Sequence, residues 1–158
     1  MQIEIDHFIM SVSDWDVSRE FYEQVVGAEI VDHPDGNFAL RFGTTQLNLL
    51  GPGINTIQTA KVKSQPGCVD MCFVWPGTPE EAIAHLDAHG AQREAGPVAR
   101  YGARGRGVST YFRDPDGALL EFISYQRQPT EQEIADGYKT QELMDASQRL
   151  HGEVEVNA

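Results

Sequence analysis

The chain opens with an apolar run that passes into a helical pattern. Residues 2–12 read QIEIDHFIMSV, and both strand parities in this run are largely apolar. Such a run is typical of a strand covered on both faces. From Val17 to Val25 every fourth residue is apolar, the spacing of one helix face. The pattern predicts a strand and then a helix, capped by Ser13 or Asp14 and ended by Gly27.

Three short apolar segments follow this helix, separated by residues that favour turns. They predict strands at Ala28–Asp32, Phe38–Phe42 and Gln46–Leu50. Residues 53–66 are rich in Gly, Pro, Gln and Thr, which predicts a linker. The first module therefore covers residues 1–52 and has the order βαβββ.

The second half repeats this order. Val69–Trp75 reads as a strand, and Thr78-Pro79-Glu80-Glu81 begins a helix that Gly90 ends. We predict the remaining strands near Gln92–Glu94, Val108–Arg113 and Leu119–Tyr125, the last two joined by a tight turn at Asp114-Pro115-Asp116-Gly117. The repeat predicts a second module over 67–126 and a single domain over 1–126.

Two polar residues occupy equivalent positions in the repeat. His7 lies twenty positions before Gly27, and Asp70 lies twenty positions before Gly90. Asp70 and Glu121 also stand inside the apolar runs VDMCFV and LLEFIS. A buried carboxylate is costly unless it is paired, hydrogen-bonded or bound to a metal. These residues predict a shared cation, although an arginine partner for Asp70 with no metal is the alternative.

Composition and charge limit the classes of partner. The 158 residues include 24 acidic and 12 basic ones, for a net charge of −12. This balance argues against nucleic acid or an anionic membrane as the main partner. No secretory signal is visible, and no apolar run reaches the roughly 20 residues of a membrane helix. Cys68 and Cys72, if they share one strand, lie about 13 Å apart and cannot form a disulfide. A reduced, cytoplasmic protein is expected.

The segment GPVARYGARGRG, residues 96–107, carries a local excess of basic residues. Arg100, Arg104 and Arg106 lie within it in an otherwise acidic chain. The cluster predicts a glycine-rich loop, able to move as a lid, that binds an anionic substrate group. A solvated loop is the alternative. Cys72 shares the strand parity of Asp70, so it could line the same cavity, although a small buried hydrophobe is the commoner role of such a residue.

Residues 127–158 fall outside the repeat. Thr130 and Glu133 form a further capping box, and apolar residues after it fit one or two packed helices. We predict a helical extension whose last residues, GEVEVNA, are frayed.

Three segments of the chain resemble one known superfamily. IDHFIMSV, REFYEQVVGAEIV and GPVARYGARGRGVSTYFRDPDGALLEFISY, together with the paired βαβββ order, resemble the vicinal oxygen chelate superfamily of glyoxalases, bleomycin resistance proteins and extradiol dioxygenases. The strongest similarity is to its small glyoxalase-domain virulence proteins, and it covers residues 3–126. It implies an α+β fold whose two modules form an eight-stranded, half-open, cupped sheet.

The resemblance also implies a ligand set for one divalent metal. Its positions fall on His7 and Asp70 in the first strands of the modules and on Asn48 and Glu121 in the last strands. Asp70 replaces the commoner histidine. Asn48 departs from the usual residues, and Gln46, on the same strand face, is its rival. One imidazole with oxygen ligands favours Mn²⁺, Mg²⁺, Fe²⁺ or Ni²⁺ over structural zinc.

The function that the resemblance implies is a glyoxalase-like lyase or isomerase, acting as a homodimer on a small, anionic oxygenated metabolite. Glu121 would serve as the general base. A metal-free protein that sequesters a toxic or antibiotic compound is the alternative. An extradiol dioxygenase fits less well, because Asp70 replaces one of the two histidines that its Fe²⁺ requires.

Overall fold

Eight strands form two hydrogen-bonded sheets in the computed structural model, which describes residues 3–56 and 60–139. The first sheet has the order β1-β4-β3-β2 and the second has the order β5-β8-β7-β6. Each sheet belongs to one βαβββ module, so the α+β class and the duplicated module are confirmed.

The first module begins with β1 (His7–Ser11) and α1 (Trp15–Phe21), which continues as a π-helical turn over Tyr22–Val26. Its other strands are β2 (Glu29–Asp32), β3 (Phe38–Phe42) and β4 (Thr45–Leu50). β1 pairs with β4 in parallel, and the β2–β3 and β3–β4 pairs are antiparallel.

The second module comprises β5 (Asp70–Trp75), α2 (Pro79–Ala88), β6 (Arg93–Gly102), β7 (Gly105–Arg113) and β8 (Leu119–Ser124). Thr78 and Glu81 form the predicted capping box, since each residue's backbone N–H donates to the other's side chain. A further helix runs over 131–139. The helices and the frayed end predicted beyond residue 139 lie outside the described residues.

One backbone hydrogen bond is repeated in the two modules. The N–H of Gln46 donates to the carbonyl of Asp6 at 2.9 Å, and the N–H of Leu119 donates to that of Val69 at 3.1 Å. Each bond starts the pairing of a module's first strand with its last. His7 and Asp70 directly follow the two acceptors, so they occupy equivalent positions, as the sequence spacing predicted.

Packing divides the chain into two compact units that cut across the modules. Of the described residues, unit 1 comprises those up to Met71, His85–Gln92 and Phe112–Leu120, and unit 2 comprises Cys72–Ala84, Arg93–Tyr111 and those from Glu121 onward. In unit 1 the fully buried residues include Tyr22, Leu40 and Phe112. In unit 2 the core is built around Val108, Phe122 and Ile123.

Two expectations about burial are wrong. His7, Phe8 and Ile9 are exposed, so β1 is not covered on both faces over this stretch. Asp70 is exposed as well, and β5 alternates between exposed and half-buried residues. β1 and β5 lie at sheet edges, where a strand has a hydrogen-bonded neighbour on one side only. Asp70 therefore does not carry the cost of a buried carboxylate.

The arginine-rich segment is a β-hairpin, not a glycine-rich lid. Its residues belong to β6 and β7, with Ala103 and Arg104 in the turn. Gly and Pro concealed the strands in the sequence. Pro97 is accommodated because β6 is an edge strand, which does not need every N–H for the ladder.

The Asp114-Pro115-Asp116-Gly117 turn has the structural role predicted for it. One carboxylate oxygen of Asp114 accepts the N–H groups of Asp116 at 2.9 Å and Ala118 at 2.7 Å. The N–H and hydroxyl of Ser13 donate to Asp116, which fixes the turn against the start of α1. Asp14, not Ser13, caps that helix, accepting the N–H of Val17 at 3.0 Å.

The helix over 131–139 is held at its start by an ion-pair cluster. Arg127 donates to Glu133 and, at 2.6 Å, to Glu80 at the start of α2. Thr130 and Glu133 form the predicted capping box. Within the described residues, no helix has the length and apolar character needed to cross a membrane.

Candidate active site

The predicted N-terminal ligands lie together on one face of the first sheet. His7 pairs with Gln46 and Ile9 pairs with Asn48 in the parallel register of β1 and β4. Because residues two apart in a strand share a face, His7, Gln46 and Asn48 form one group, called here the His7 cluster. Gln46, not Asn48, is the residue directly beside His7.

Asp6 fixes the orientation of the His7 ring. Its carboxylate oxygen lies 2.6 Å from Nδ1 of His7. A carboxylate only accepts hydrogen bonds, so Nδ1 carries a proton and Nε2 is the ring atom left to face a ligand. Metal-binding histidines commonly donate their second ring N–H to a carboxylate in this way. The His7 side chain is 48% exposed, so Nε2 belongs to an accessible imidazole.

The two amides of the His7 cluster are bonded to each other. Nε2 of Gln46 donates to Oδ1 of Asn48 at 2.7 Å, and both residues are half-buried. The oxygen with which Asn48 would bind a metal therefore already accepts one hydrogen bond. Position and bonding both favour Gln46 over Asn48 as the amide ligand nearest to His7.

The predicted base, Glu121, belongs to a second group in unit 2, called here the Glu121 cluster (Arg100, Tyr111 and Glu121). Nε of Arg100 donates to the Tyr111 hydroxyl at 3.0 Å. The Glu121 carboxylate lies close enough to this hydroxyl for its negative charge to raise the pKa of Tyr111. Because the Tyr111 hydroxyl accepts from Arg100, its own proton remains available to an acceptor such as this carboxylate. The three side chains come from β6, β7 and β8.

The environment of Tyr111 keeps its hydroxyl protonated. Burial and then the negative charge of Glu121 raise the pKa of Tyr111 to about 12, and the hydrogen bond from Arg100 opposes this shift. Near neutral pH the hydroxyl is therefore a donor. Glu121, whose charge contributes to this shift, is half-buried in β8.

The remaining predicted substrate residues lie on the outer parts of the second module. Arg104 is exposed in the hairpin turn. The Arg106 guanidinium lies over the ring of Tyr101, 4.9 Å from its centroid. Cys68 and Cys72 are both exposed and form no disulfide, so the expectation that Cys72 is a small buried hydrophobe is wrong. Only Cys72 lies in β5, on its exposed face.

The described residues contain the donor types of a metal centre but do not bring three of them together. Among residues 3–56 and 60–139, no three His, Cys, Asp or Glu side chains approach closely enough to hold a metal ion. The donor types and the orientation of His7 fit a hard divalent cation. The complete ligand set is not assembled within these residues of one chain.

Sequence reasoning missed Asp6 and Tyr111, although both left a signal. Asp6 directly precedes the predicted ligand His7. The turn at Asp114-Pro115-Asp116-Gly117 shows which residues of β7 and β8 lie opposite each other. It pairs Asp114 with Ala118, and in the structure the N–H of Asp114 donates to the carbonyl of Ala118. Three residues back from Asp114 is Tyr111, and three residues on from Ala118 is Glu121. An antiparallel hairpin places such residues opposite each other.

Unit 2 also contains a cleft of about 470 Å³ between β6 and the helix over 131–139. Its walls come from Ala95–Val98 and from residues of that helix, including Glu133 and Asp136. The cleft includes no residue of the Glu121 cluster, so it is a separate feature of this unit.

The model of the Glyoxalase/Bleomycin resistance protein/Dioxygenase superfamily matches residues 4–122. The chain belongs to this superfamily. The match includes both βαβββ modules and ends before the helix over 131–139. The resemblance seen in the sequence is thereby confirmed.

Individual relatives agree with this assignment. The glyoxalase domain-containing protein RDO1 of Mycosarcoma maydis is 38% identical over 122 residues, which are 77% of this chain and 68% of that protein. Virulence protein STM3117 of Salmonella typhimurium is 35% identical over 77% of this chain and 83% of its own length. The STM3117 crystal structure has a TM-score of 0.73 and covers 79% of this chain and 98% of that one.

A more distant solved structure shares the fold alone. It is lactoylglutathione lyase from Agrobacterium tumefaciens, with 22% identity and a TM-score of 0.60 over 80% of this chain and 96% of that one. Some proteins that share this fold are therefore named as enzymes and others are not.

Proposed function

We propose that this protein is a metal-dependent, glyoxalase-like lyase or isomerase that acts as a homodimer on a small, oxygenated anion. The observation that carries the proposal is the hydrogen bond from Arg100 to the Tyr111 hydroxyl, whose pKa the neighbouring Glu121 charge helps to raise. The pair stands beside a carboxylate at the strand position to which the resemblance assigns a ligand and base. Superfamily membership supports the binding of a small molecule.

The divalent cation would be held by His7, Asp70 and Glu121, with Gln46 or Asn48 as the fourth ligand. The accessible Nε2 of His7, oriented by Asp6, supports this assignment. A homodimer supplies two copies of each ligand, as the resemblance to the vicinal oxygen chelate proteins implies. The chemistry that a bound Mn²⁺, Ni²⁺, Fe²⁺ or Mg²⁺ supplies in such a site is Lewis-acid polarisation of a substrate carbonyl.

Proton transfer falls to the Glu121 cluster. The Glu121 carboxylate accepts the proton from the carbon next to the substrate carbonyl and returns it to a neighbouring atom, as a general base and then a general acid. The Tyr111 hydroxyl lies beside the same carboxylate and would donate to it, which would keep the carboxylate oriented while its charge changes. The Arg100 guanidinium, bonded to Tyr111, holds the hydroxyl in this orientation.

Residues of the β6–β7 hairpin and of β5 would select an anionic substrate. Arg104 at the exposed turn and Arg106 on Tyr101 offer cationic groups for an anionic substrate. The exposed thiol of Cys72 lies in the same unit and would contact substrate as a small polarisable group. Arg104→Glu tests this assignment, because charge reversal should weaken the binding of an anion.

Metal titration tests the proposal. The purified, metal-free protein is titrated with Mn²⁺, Ni²⁺ and Fe²⁺, and binding is followed by calorimetry and by thermal shift. We expect one ion per chain, weaker binding in His7→Ala and Glu121→Ala, and unchanged binding in His33→Ala, a control at an exposed turn. Sedimentation equilibrium should give a dimer.

The same titration decides between enzyme and binding protein. A protein that binds no metal stoichiometrically and shows no thermal shift contradicts the enzyme assignment. The metal-free sequestration of a small molecule would then be the better function.

A further inference from the structure

The helix over 131–139 lies outside the family match, yet it contacts the Glu121 cluster directly. The match ends at residue 122. Nη1 of Arg100 donates to the carbonyl of Gly137 at 3.0 Å and to that of Ala99 at 3.0 Å. The same guanidinium reaches Tyr111 through Nε. Arg100 is thus bonded at one end to the helix and at the other to the Tyr111 hydroxyl, which lies beside Glu121.

Gly137 allows the helix backbone to approach β6 this closely. A Cβ at position 137 would lie 2.8 Å from the carbonyl oxygen of Ala99 and 3.0 Å from Nη1 of Arg100. The first of these neighbours is backbone, which cannot move aside as a flexible side chain can. Gly137 is also buried. Any larger residue would therefore move the helix away from the strand, or the strand away from the helix.

The Arg100 guanidinium is turned inward rather than toward a ligand. Nε and Nη1 are bonded to protein groups, and Nη2 is buried and has no hydrogen-bond partner among the residues that the structure describes. This geometry suits a residue that holds its neighbours in place, in contrast to the exposed Arg104.

We propose that the C-terminal helix is part of the site: through Gly137 it positions Arg100, and Arg100 positions Tyr111 against Glu121. Arg100 and Gly137 are then positioning residues and not substrate contacts. The inference rests on the proposed role of Glu121 as the base. It assigns to a segment beyond the shared fold the task of fixing the orientation of that base.

The test follows the Arg100 side chain directly, in the full-length, metal-free protein. Solvent exchange of its Nε–H is measured by ¹H–¹⁵N NMR, with the resonance assigned by its loss in Arg100→Lys. In Gly137→Ala we expect exchange to accelerate about tenfold or more, the effect of losing a charge-assisted hydrogen bond. Alanine favours helix more than glycine does, so helix propensity alone predicts no acceleration.

Two further variants provide a second test and a control. Glu133→Gln loosens the helix at its other end and should also accelerate exchange at Arg100. Ala135→Ser changes the exposed face of the same helix and should leave the exchange unchanged. Unchanged exchange in both Gly137→Ala and Glu133→Gln overturns the inference.

A double-mutant cycle separates positioning from simple stabilisation. The free energies of unfolding of Gly137→Ala and Tyr111→Phe should be non-additive, and the coupling should vanish in an Arg100→Gln background. Additive effects in the original background would show that the helix does not act on Tyr111. None of these measurements requires a metal, so the inference and the proposed function can fail independently.

Discussion

Arg127 and Glu133 form a two-point ion pair at the start of the C-terminal helix. Nη1 donates to Oε2 at 2.8 Å and Nη2 to Oε1 at 2.6 Å. The Glu133 side chain is only 9% exposed, and that of Arg127 is 29% exposed. Planar, two-point geometry makes this contact stronger than an ordinary surface pair. The helix that contacts Arg100 therefore depends on it.

Arg127→Gln should lower the free energy of unfolding by about 2 kcal/mol, the range expected when a buried group loses its partner. Urea denaturation measures this change. Lys139→Gln is the control, because it removes the exposed 3.4 Å pair with Asp136 and should cost less than about 0.5 kcal/mol. Equal effects of the two variants would contradict the importance of the buried pair.

The same carboxylate predicts a pH dependence of stability. Hydrogen bonds from Arg127 lower the pKa of Glu133 from 4.5 to about 2. Because the folded-state pKa lies below the unfolded value, Glu133 contributes stability above pH 4.5 and loses it as the pH falls toward 2. Glu133→Gln should therefore be less stable than the parent at pH 6, and the two should converge by pH 2.

Thermal unfolding of both proteins between pH 6 and pH 2 measures this difference. Glu131→Gln, on the exposed side of the same helix, should differ from the parent by a constant amount over that range. A Glu133→Gln difference that does not shrink on acidification would mean that the carboxylate is not selectively stabilised in the folded state.

Tyr22→Phe should destabilise the protein through Asp114. The fully buried Tyr22 hydroxyl donates to Oδ2 of Asp114 at 2.8 Å. Burial raises the pKa of Asp114, and the bond from Tyr22 partly offsets this shift. Losing the donor should cost about 1.5 kcal/mol while the carboxylate is charged. The cost should shrink at low pH, where Asp114 is protonated and has less need of a donor.

Urea denaturation at pH 7 and at pH 4 checks both parts of this expectation. Tyr138→Phe, at a residue that is 66% exposed, is the matched control and should be neutral. A Tyr22→Phe cost that grows on acidification would have the wrong sign for the proposed contact.

Sequence reasoning succeeded where the signal is local. The Asp114 turn and the capping boxes at Thr78 and Thr130 depend on residues within three or four positions of each other. The module order follows from the same kind of pattern, since strand and helix periods differ. Duplication then placed His7 and Asp70 at equivalent points without any three-dimensional information.

Tertiary contacts explain what the sequence did not reveal. Asp70 sits in an apolar run but is exposed, because β5 is an edge strand. Arg100 was expected in a mobile loop that binds substrate, but it lies in β6, and the helix over 131–139 contacts it. Neither an edge position nor a contact 37 residues away is encoded in local periodicity.

The pairing of β1 with β4 predicts whether Gln46 or Asn48 is the amide that binds a metal. Gln46 lies directly opposite His7, so Gln46→Ala should weaken Mn²⁺ binding more than Asn48→Ala does. Asp6→Asn should weaken it about tenfold or more, because a carboxylate that orients a ligating histidine contributes to affinity. Asp16→Asn, at an exposed helix position, is the control. Calorimetric titration measures all four; a larger effect of Asn48→Ala would make Asn48 the ligand.

Two glycines of the β6–β7 hairpin should differ in how much stability an alanine substitution costs. Gly96 and Gly105 have φ values of +106° and +104°. Backbone strain at either position should therefore make a substitution by alanine lower the free energy of unfolding by about 1 kcal/mol. A Cβ at Gly96 would also lie 2.5 Å from the carbonyl oxygen of Ser109, whereas one at Gly105 meets nothing within 4 Å. Gly96→Ala should therefore cost about 2 kcal/mol more than Gly105→Ala, as overpacking against backbone does. Urea denaturation compares the two, and equal costs would show that β6 does not approach β7 this closely at Ser109.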